Sequence, residues 1–163
     1  MTPEELCASY ATKVARFASI AAGRDADADD VAQDALLKAI AALGRYDPAR
    51  GSMDAWLWRI VVNTARDATR RARLRALLPG RLTPGAHSLD IESIAIERLT
   101  SAEIYRAIER LPPRDRELLA LRFASDLTTA EVGRIVGLTA ESARRAIGRA
   151  LERLRAILVG GVS

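Results

Sequence analysis

Cysteine occurs once in the 163 residues, at Cys7, and histidine once, at His87. A single cysteine excludes an internal disulfide and a cysteine-built zinc site, and it makes a reducing compartment the expectation. A single histidine without companion ligands gives no basis for a metal site. The carboxylates concentrated from Asp25 to Asp34 are accompanied by no His/Glu pairing, glycine-rich phosphate loop or nucleophile elbow. No catalytic residue, cofactor or metal is therefore expected, and the chain does not read as an enzyme. Aromatic residues are only 4% of the total, so any core must be aliphatic and alanine-rich. No apolar run reaches the roughly 20 residues of a membrane span, and no signal-peptide pattern follows Met1. A cytoplasmic protein with no membrane insertion is the expectation.

Hydrophobic residues make up 49% of the sequence and recur at helical rather than alternating spacing, which predicts an all-α protein. Two small helical domains are expected, over residues 1–75 and 100–158, joined by a flexible linker over 76–99. The linker reading rests on Pro79-Gly80 and Pro84-Gly85. Charge is unevenly spread around a net +4. Residues 1–44 hold seven acids against four bases, whereas 63–75 hold five arginines against one aspartate. Residues 140–155 hold five arginines against two glutamates. Two basic helices in an otherwise acidic-to-neutral chain suggest one polyanion gripped at two places.

Taken in order, Leu6, Tyr10, Val14, Phe17 and Ile20 predict an amphipathic helix over Pro3 to Ala22. A second helix, about Asp29 to Leu43, would bury Val31, Ala35, Leu36, Ala39 and Leu43. Its other face carries Asp30, Gln33, Asp34 and Leu37. Leu37 is either a singly exposed leucine or the apolar centre of a protein-binding face with a charged rim. A loop, Gly44 to Gly51, leads to Ser52 as an N-cap. The next helix, about Met53 to Arg75, would bury Leu57, Ile60, Val61, Thr64 and Ala68. Trp56, Arg59, Asn63, Arg66 and Arg70 line its far side, and Trp58 is read as packing from the flank. An outward indole among arginines can stack on an unpaired base while the arginines hold phosphates; the alternative is an indole capping the core beside solvated arginines.

The last third predicts helix, turn, helix. Thr100 and Glu103 make a capping box for a helix carrying Ile104, Ala107, Ile108 and Leu111. A support helix covers Arg114 to Ala124. A short helix ends on Val132, Ile135 and Val136, and Gly137 suits a left-handed C-terminus. Thr139 suits the N-cap of the final helix, where Ala143, Ile147, Ala150, Leu151, Leu154 and Ile157 form one stripe with Ser142, Arg145 and Arg149 opposite. The tail from Val159 is expected to fray. A DNA-reading helix-turn-helix and a small three-helix core with solvated arginines both satisfy this pattern.

Two blocks carry a family resemblance. DADDVAQDALLKAI followed by DAWLWRIVVNTARDATRR resembles the second conserved region of bacterial RNA polymerase sigma factors of the minimal, extracytoplasmic-function group. LPPRDRELLALRFASDLTTAEVGRIVGLTAESARRAIGRALERLR is similar to their fourth region. The resemblance implies a sigma factor that binds core RNA polymerase and directs promoter-specific initiation. It assigns Asp30, Gln33, Asp34 and Leu37 to the polymerase, whose large-subunit clamp helices and flap would be the docking partners. It assigns Tyr46, Asp47, Arg50, Trp56, Arg59, Asn63, Arg66 and Arg70 to the −10 element and its melting. Arg122, Thr139, Ser142, Arg144, Arg145 and Arg149 would meet the −35 duplex. The linker would thread toward the polymerase channels, and an anti-sigma factor would be a further partner. Three positions depart from the family pattern: Ala146 and Gly148 leave the recognition face half bare, and Ala143 replaces a larger apolar residue. A dimeric helix-turn-helix regulator acting without the polymerase is the competing reading; it has no need of the outward tryptophan–arginine helix.

Overall fold

The structure, a computed structural model, describes residues 1–78 and 101–160, and within them every regular element is helical. The first lobe contains α1 (Pro3–Ala22), α2 (Ala28–Ala42) and α3 (Met53–Ala76). The second contains α4 (Ser101–Glu109), α5 (Pro113–Ala124), α6 (Thr129–Val136) and α7 (Ala140–Gly160). Two single-turn 3₁₀ segments, Leu43–Arg45 and Pro48–Arg50, shape the loop between α2 and α3. The linker reading from 79 to 99, with His87, lies outside the described residues, as does Thr100 of the expected capping box. Ala76, assigned to the linker, is the last residue of α3, and the helix of the tail continues through Gly160 rather than fraying at Val159.

Each helix start of the first lobe is set by a side-chain cap. Thr2 and Glu5 form a capping box on α1, Asp27 accepts from the Asp30 amide at 3.2 Å, and Ser52 accepts from Ala55 at 3.1 Å. These caps satisfy amide groups that the first helical turn leaves without partners. In the first lobe Leu6, Val14, Phe17, Leu57, Trp58 and Val61 are fully buried. Each such side chain contributes on the order of 1.5–3 kcal/mol. Trp58 is not a flank residue: at 1% exposure it is among the largest side chains of the core, tilted against Phe17 with ring centroids 5.5 Å apart. Because both α1 and α2 pack on α3, its buried arc is wider than the single stripe that the spacing predicts and takes in Trp58, Val62 and Ala65.

The two lobes share one continuous apolar core. α5 lies along α1, and the seam is rimmed by ion pairs between Arg24 and Glu109 at 2.7 Å, Arg66 and Glu117 at 2.6 Å, and Lys13 and Asp126. Nothing local in the sequence announced this packing.

Candidate nucleic-acid and polymerase interface

The face of α2 opposite its buried alanines carries Asp30, Gln33 and Leu37, all exposed; Leu37 is 58% exposed, high for a leucine. Asp34 is half-buried and paired with Lys38 at 3.1 Å, with Arg71 of α3 at 4.0 Å. An apolar residue thus stands amid acids whose own pairs are solvent-facing and weak, which is the composition of an interface centre with a polar rim.

The loop before α3 is held rather than loose. Asp47 accepts from the Ala49 amide at 2.9 Å, and the Tyr46 hydroxyl donates to the Gly51 carbonyl at 3.0 Å. The Tyr46 ring leans on Trp56, centroids 5.5 Å apart at 52°. Trp56 is half-buried and packs against the edge of the core. Arg50, Arg59 and Asn63 are exposed. From Trp56 to Arg70 the row runs about 21 Å along the helix. Beneath it Asp54 accepts from the Tyr10 hydroxyl. Burial, and then this hydrogen bond, push the Tyr10 phenol well above its ordinary pKa.

Arg66 differs from its neighbours. Its Nε and Nη2 donate to the two carboxylate oxygens of Glu117 on α5, at 2.6 and 2.9 Å, and this bond raises its pKa. Arg70 lies 3.4 Å from Asp67 on the same helix. A groove of about 450 Å³ opens here, lined by Arg66, Arg70, Arg73 and Leu74 of α3 and by Pro113 and Glu117 of α5.

Sequence reasoning missed Arg116 altogether. It is 4% exposed, and its guanidinium donates to the carbonyls of Leu111 at 2.7 Å and Ala21 at 3.3 Å and to Asp25 at 3.0 Å. Desolvation lowers its pKa, and Asp25 opposes that shift. Asp25, read in the sequence as part of a helix-start run, is also 3.8 Å from Arg73.

In the second lobe Thr128 and Glu131 form a capping box on α6, with Thr128 Oγ1 accepting at 3.2 Å and Glu131 Oε2 at 2.7 Å. Bonds from the Thr128 backbone and then its hydroxyl hold the Glu131 carboxyl below its usual range. Gly137 ends α6 at φ 80°, in the left-handed region, as its place after Val136 predicts. Gly133 is needed for a different reason: a Cβ there would come within 2.6 Å of the Leu138 carbonyl oxygen. Thr139 then caps α7, accepting from Ser142 at 3.1 Å. Thr139, Arg144, Arg145 and Arg149 are exposed and Ser142 half-buried, while Ala143, Ile147, Ala150 and Leu154 face the core. Arg145 rests on Glu141 at 2.6 Å. Arg122, exposed on α5, lies 5.8 Å from the Phe123 ring centroid. Around Gly148 there is open space, so no side chain among the described residues fills that position.

Residues 6–75 match the family Sigma-70 region 2, and residues 107–156 match Sigma-70, region 4. SigD of Mycobacterium tuberculosis, an ECF RNA polymerase sigma factor, is 36% identical over 130 residues, 78% of this chain and 61% of SigD. The chain therefore spans about three fifths of that relative's length. The RNA polymerase sigma factor CnrH of Cupriavidus metallidurans is 30% identical over 163 residues, covering 94% of this chain and 85% of CnrH. The solved structure of CnrH with the cytosolic domain of CnrY has a TM-score of 0.66 at 26% identity, over 97% of this chain and 88% of that one. The sigma factor RpoE, solved with the anti-sigma factor NepR from Bartonella quintana, shares the fold at a TM-score of 0.75 and 23% identity, over 95% of each chain. With region 2 in its first lobe and region 4 in its second, the chain belongs to the extracytoplasmic-function group of the sigma-70 family.

Proposed function

We propose that the protein is a promoter-specificity subunit of RNA polymerase, with residues 1–75 engaging the polymerase and the −10 element, 76–99 linking, and 100–158 reading the −35 duplex. The exposed Leu37, rimmed by Asp30, Gln33 and Asp34, docks on the clamp helices of the large subunit, and the second lobe meets the flap. Tyr46, Asp47, Arg50, Trp56, Arg59, Asn63, Arg66 and Arg70 receive the −10 element. An extruded base stacked at the Tyr46–Trp56 pair offsets the few kcal/mol of unstacking, so melting needs no chemical energy. Thr139, Ser142, Arg144, Arg145 and Arg149 enter the major groove at −35, and Arg122 holds a phosphate.

The observation that carries this reading is the aromatic pair: Tyr46 leaning on Trp56 at 5.5 Å, at the head of an exposed Arg59–Asn63 row. A regulator that reads only duplex DNA has no use for it. Since CnrH and RpoE were solved with CnrY and NepR respectively, an anti-sigma factor is proposed as a second protein partner. Transcription from a random promoter library, with core polymerase and this protein, tests the reading and yields the promoter sequence. Enrichment of one paired −35 and −10 motif is the expected result. Failure of core polymerase to bind the protein, together with ordinary duplex binding as a dimer, would favour the stand-alone regulator.

A further inference from the structure

We propose that Tyr10 of α1 is a positioning residue for the aromatic pair, setting through Asp54 the angle at which Tyr46 and Trp56 meet an extruded base. The inference rests on the reading of that pair as the −10 base receiver, and it adds a residue that touches no DNA itself.

Asp54 lies in the first turn of α3, between the Ser52 cap and Trp56. That turn is tied at both ends. The Ser52 hydroxyl accepts from the Ala55 amide at 3.1 Å, and the Ser52 carbonyl accepts from the Trp56 amide at 3.1 Å. Tyr46 is fastened to the same stretch, through the Gly51 carbonyl at 3.0 Å and the Trp56 ring at 5.5 Å between centroids. The pair therefore moves with the first turn of α3. At about 100° per residue, Asp54 and Trp56 point about 200° apart around the helix. Asp54 meets α1, where it accepts from the Tyr10 hydroxyl, and Trp56 shares the far side with Arg59 and Asn63.

The contacts that hold this turn differ in kind. Leu57 and Trp58 are fully buried beside it, and apolar packing of this sort is non-directional. A hydrogen bond prefers a donor angle above about 150°, so the Tyr10–Asp54 bond fixes the rotation of the turn where packing leaves latitude. Tyr10 is itself buried in the core, so its hydroxyl sits on a rigid mount. The phenol is held well above its ordinary pKa, and the donor proton is retained throughout the neutral range. Tyr46 is near enough to contribute to that shift, so the pair and its mount are neighbours.

The test uses the full chain with core polymerase on the library-selected promoter. Tyr10→Phe keeps the ring and removes the donor, Asp54→Ala removes the acceptor, and Asp54→Asn keeps an acceptor without the charge. Permanganate reactivity over time should show opening slowed about fivefold in Tyr10→Phe and in Asp54→Ala, the weight of one hydrogen bond. The double variant should be no slower than either single one, because both remove the same bond. Asp54→Asn should open at close to the wild-type rate, and polymerase binding should be unchanged in all. Because Trp58 is 1% exposed, acrylamide quenching in the free protein reports Trp56. It should change in Tyr10→Phe and Asp54→Ala but not in Asp54→Asn. Val14→Ala, a core change on α1 that leaves the bond in place, controls for stability. Equal slowing in Val14→Ala makes Tyr10 a packing residue and overturns the proposal, as does normal opening in Tyr10→Phe. If Trp56→Ala slows opening while Tyr10→Phe does not, the −10 reading stands and only the positioning falls. If Trp56→Ala also opens normally, the −10 reading itself falls.

Discussion

The guanidinium of Arg116 occupies the place that a side chain at residue 23 would need: a Cβ on Gly23 would stand 2.7 Å from Arg116 Cζ. Gly23 also sits at φ 57°, where L side chains are strained. Gly23→Ala should therefore destabilise the protein by about 1–3 kcal/mol. Arg116→Met should cost about 3 kcal/mol, nearer the low end of what a broken buried pair costs because Asp25 is one-third exposed. Urea denaturation of the two single variants and the double should give a strongly non-additive cycle, because Arg116→Met vacates the space that the added Cβ of Gly23→Ala would enter. Additive losses would mean that the two residues act separately.

Trp56→Ala should slow promoter opening roughly tenfold or more, in line with the loss of one stacked base, while duplex binding changes little. Stability should fall by about 1 kcal/mol, as Trp56 is only half-buried. Permanganate footprinting beside gel-shift assays separates the two effects. Equal loss in both assays would make Trp56 a packing residue.

On α2, Asp34→Arg and Leu37→Asp should each leave the melting temperature within a degree or two, because both positions face solvent at least in part. Their affinity for core polymerase should fall at least tenfold in a pull-down or by interferometry. Unchanged binding by both variants removes α2 from the docking surface.

Arg149→Ala should cost about 1–3 kcal/mol of binding to −35-containing duplex if Arg149 reads a base edge. Titrations at several salt concentrations distinguish that from a phosphate contact, which would instead reduce the salt slope by about one. Affinity that is indifferent to the change would place readout elsewhere on α7.

Stability should decline at both pH extremes for identifiable reasons. Glu131 has a folded pKa below its ordinary 4.5; its contribution is full above that value and lost as pH falls through the depressed one. Tyr10 is raised above its ordinary 10.0, so its contribution is full below pH 10.0 and declines as pH rises above it. Glu131→Gln should flatten the acid limb, and Tyr10→Phe the alkaline one. Thermal melts across pH check both; an acid limb unchanged in Glu131→Gln would shift the effect to other carboxylates.

The helices and their ends were legible because their signals are local. Leucine and valine spacing, Ser52, Gly137, and the Thr139 cap all act within four residues of the element they define. Trp58 was underestimated because a stripe computed for one packing partner is too narrow for a helix packed from two sides. Arg116 was invisible for another reason: its acidic partner lies 91 positions away, and no periodicity encodes such a pairing. In sequence it is one of 25 basic residues. Arg66 lies on the outward side of α3 that the spacing predicts and is exposed there, but its tie to Glu117 depends on the same unforeseen seam.

α3 is about 36 Å long, yet no residue beyond Ala65 in it is buried. Its last eleven residues hold five arginines, several of them three or four positions apart, where like charges repel along a helix. That arm is kept helical by the intrinsic preference of alanine, leucine and arginine rather than by tertiary burial. Phosphates laid along it would relieve the repulsion, so a polyanion and the helical state of the arm favour each other. On the proposed reading of α3, part of the affinity for nucleic acid would then be written in backbone propensity as well as in side-chain contacts.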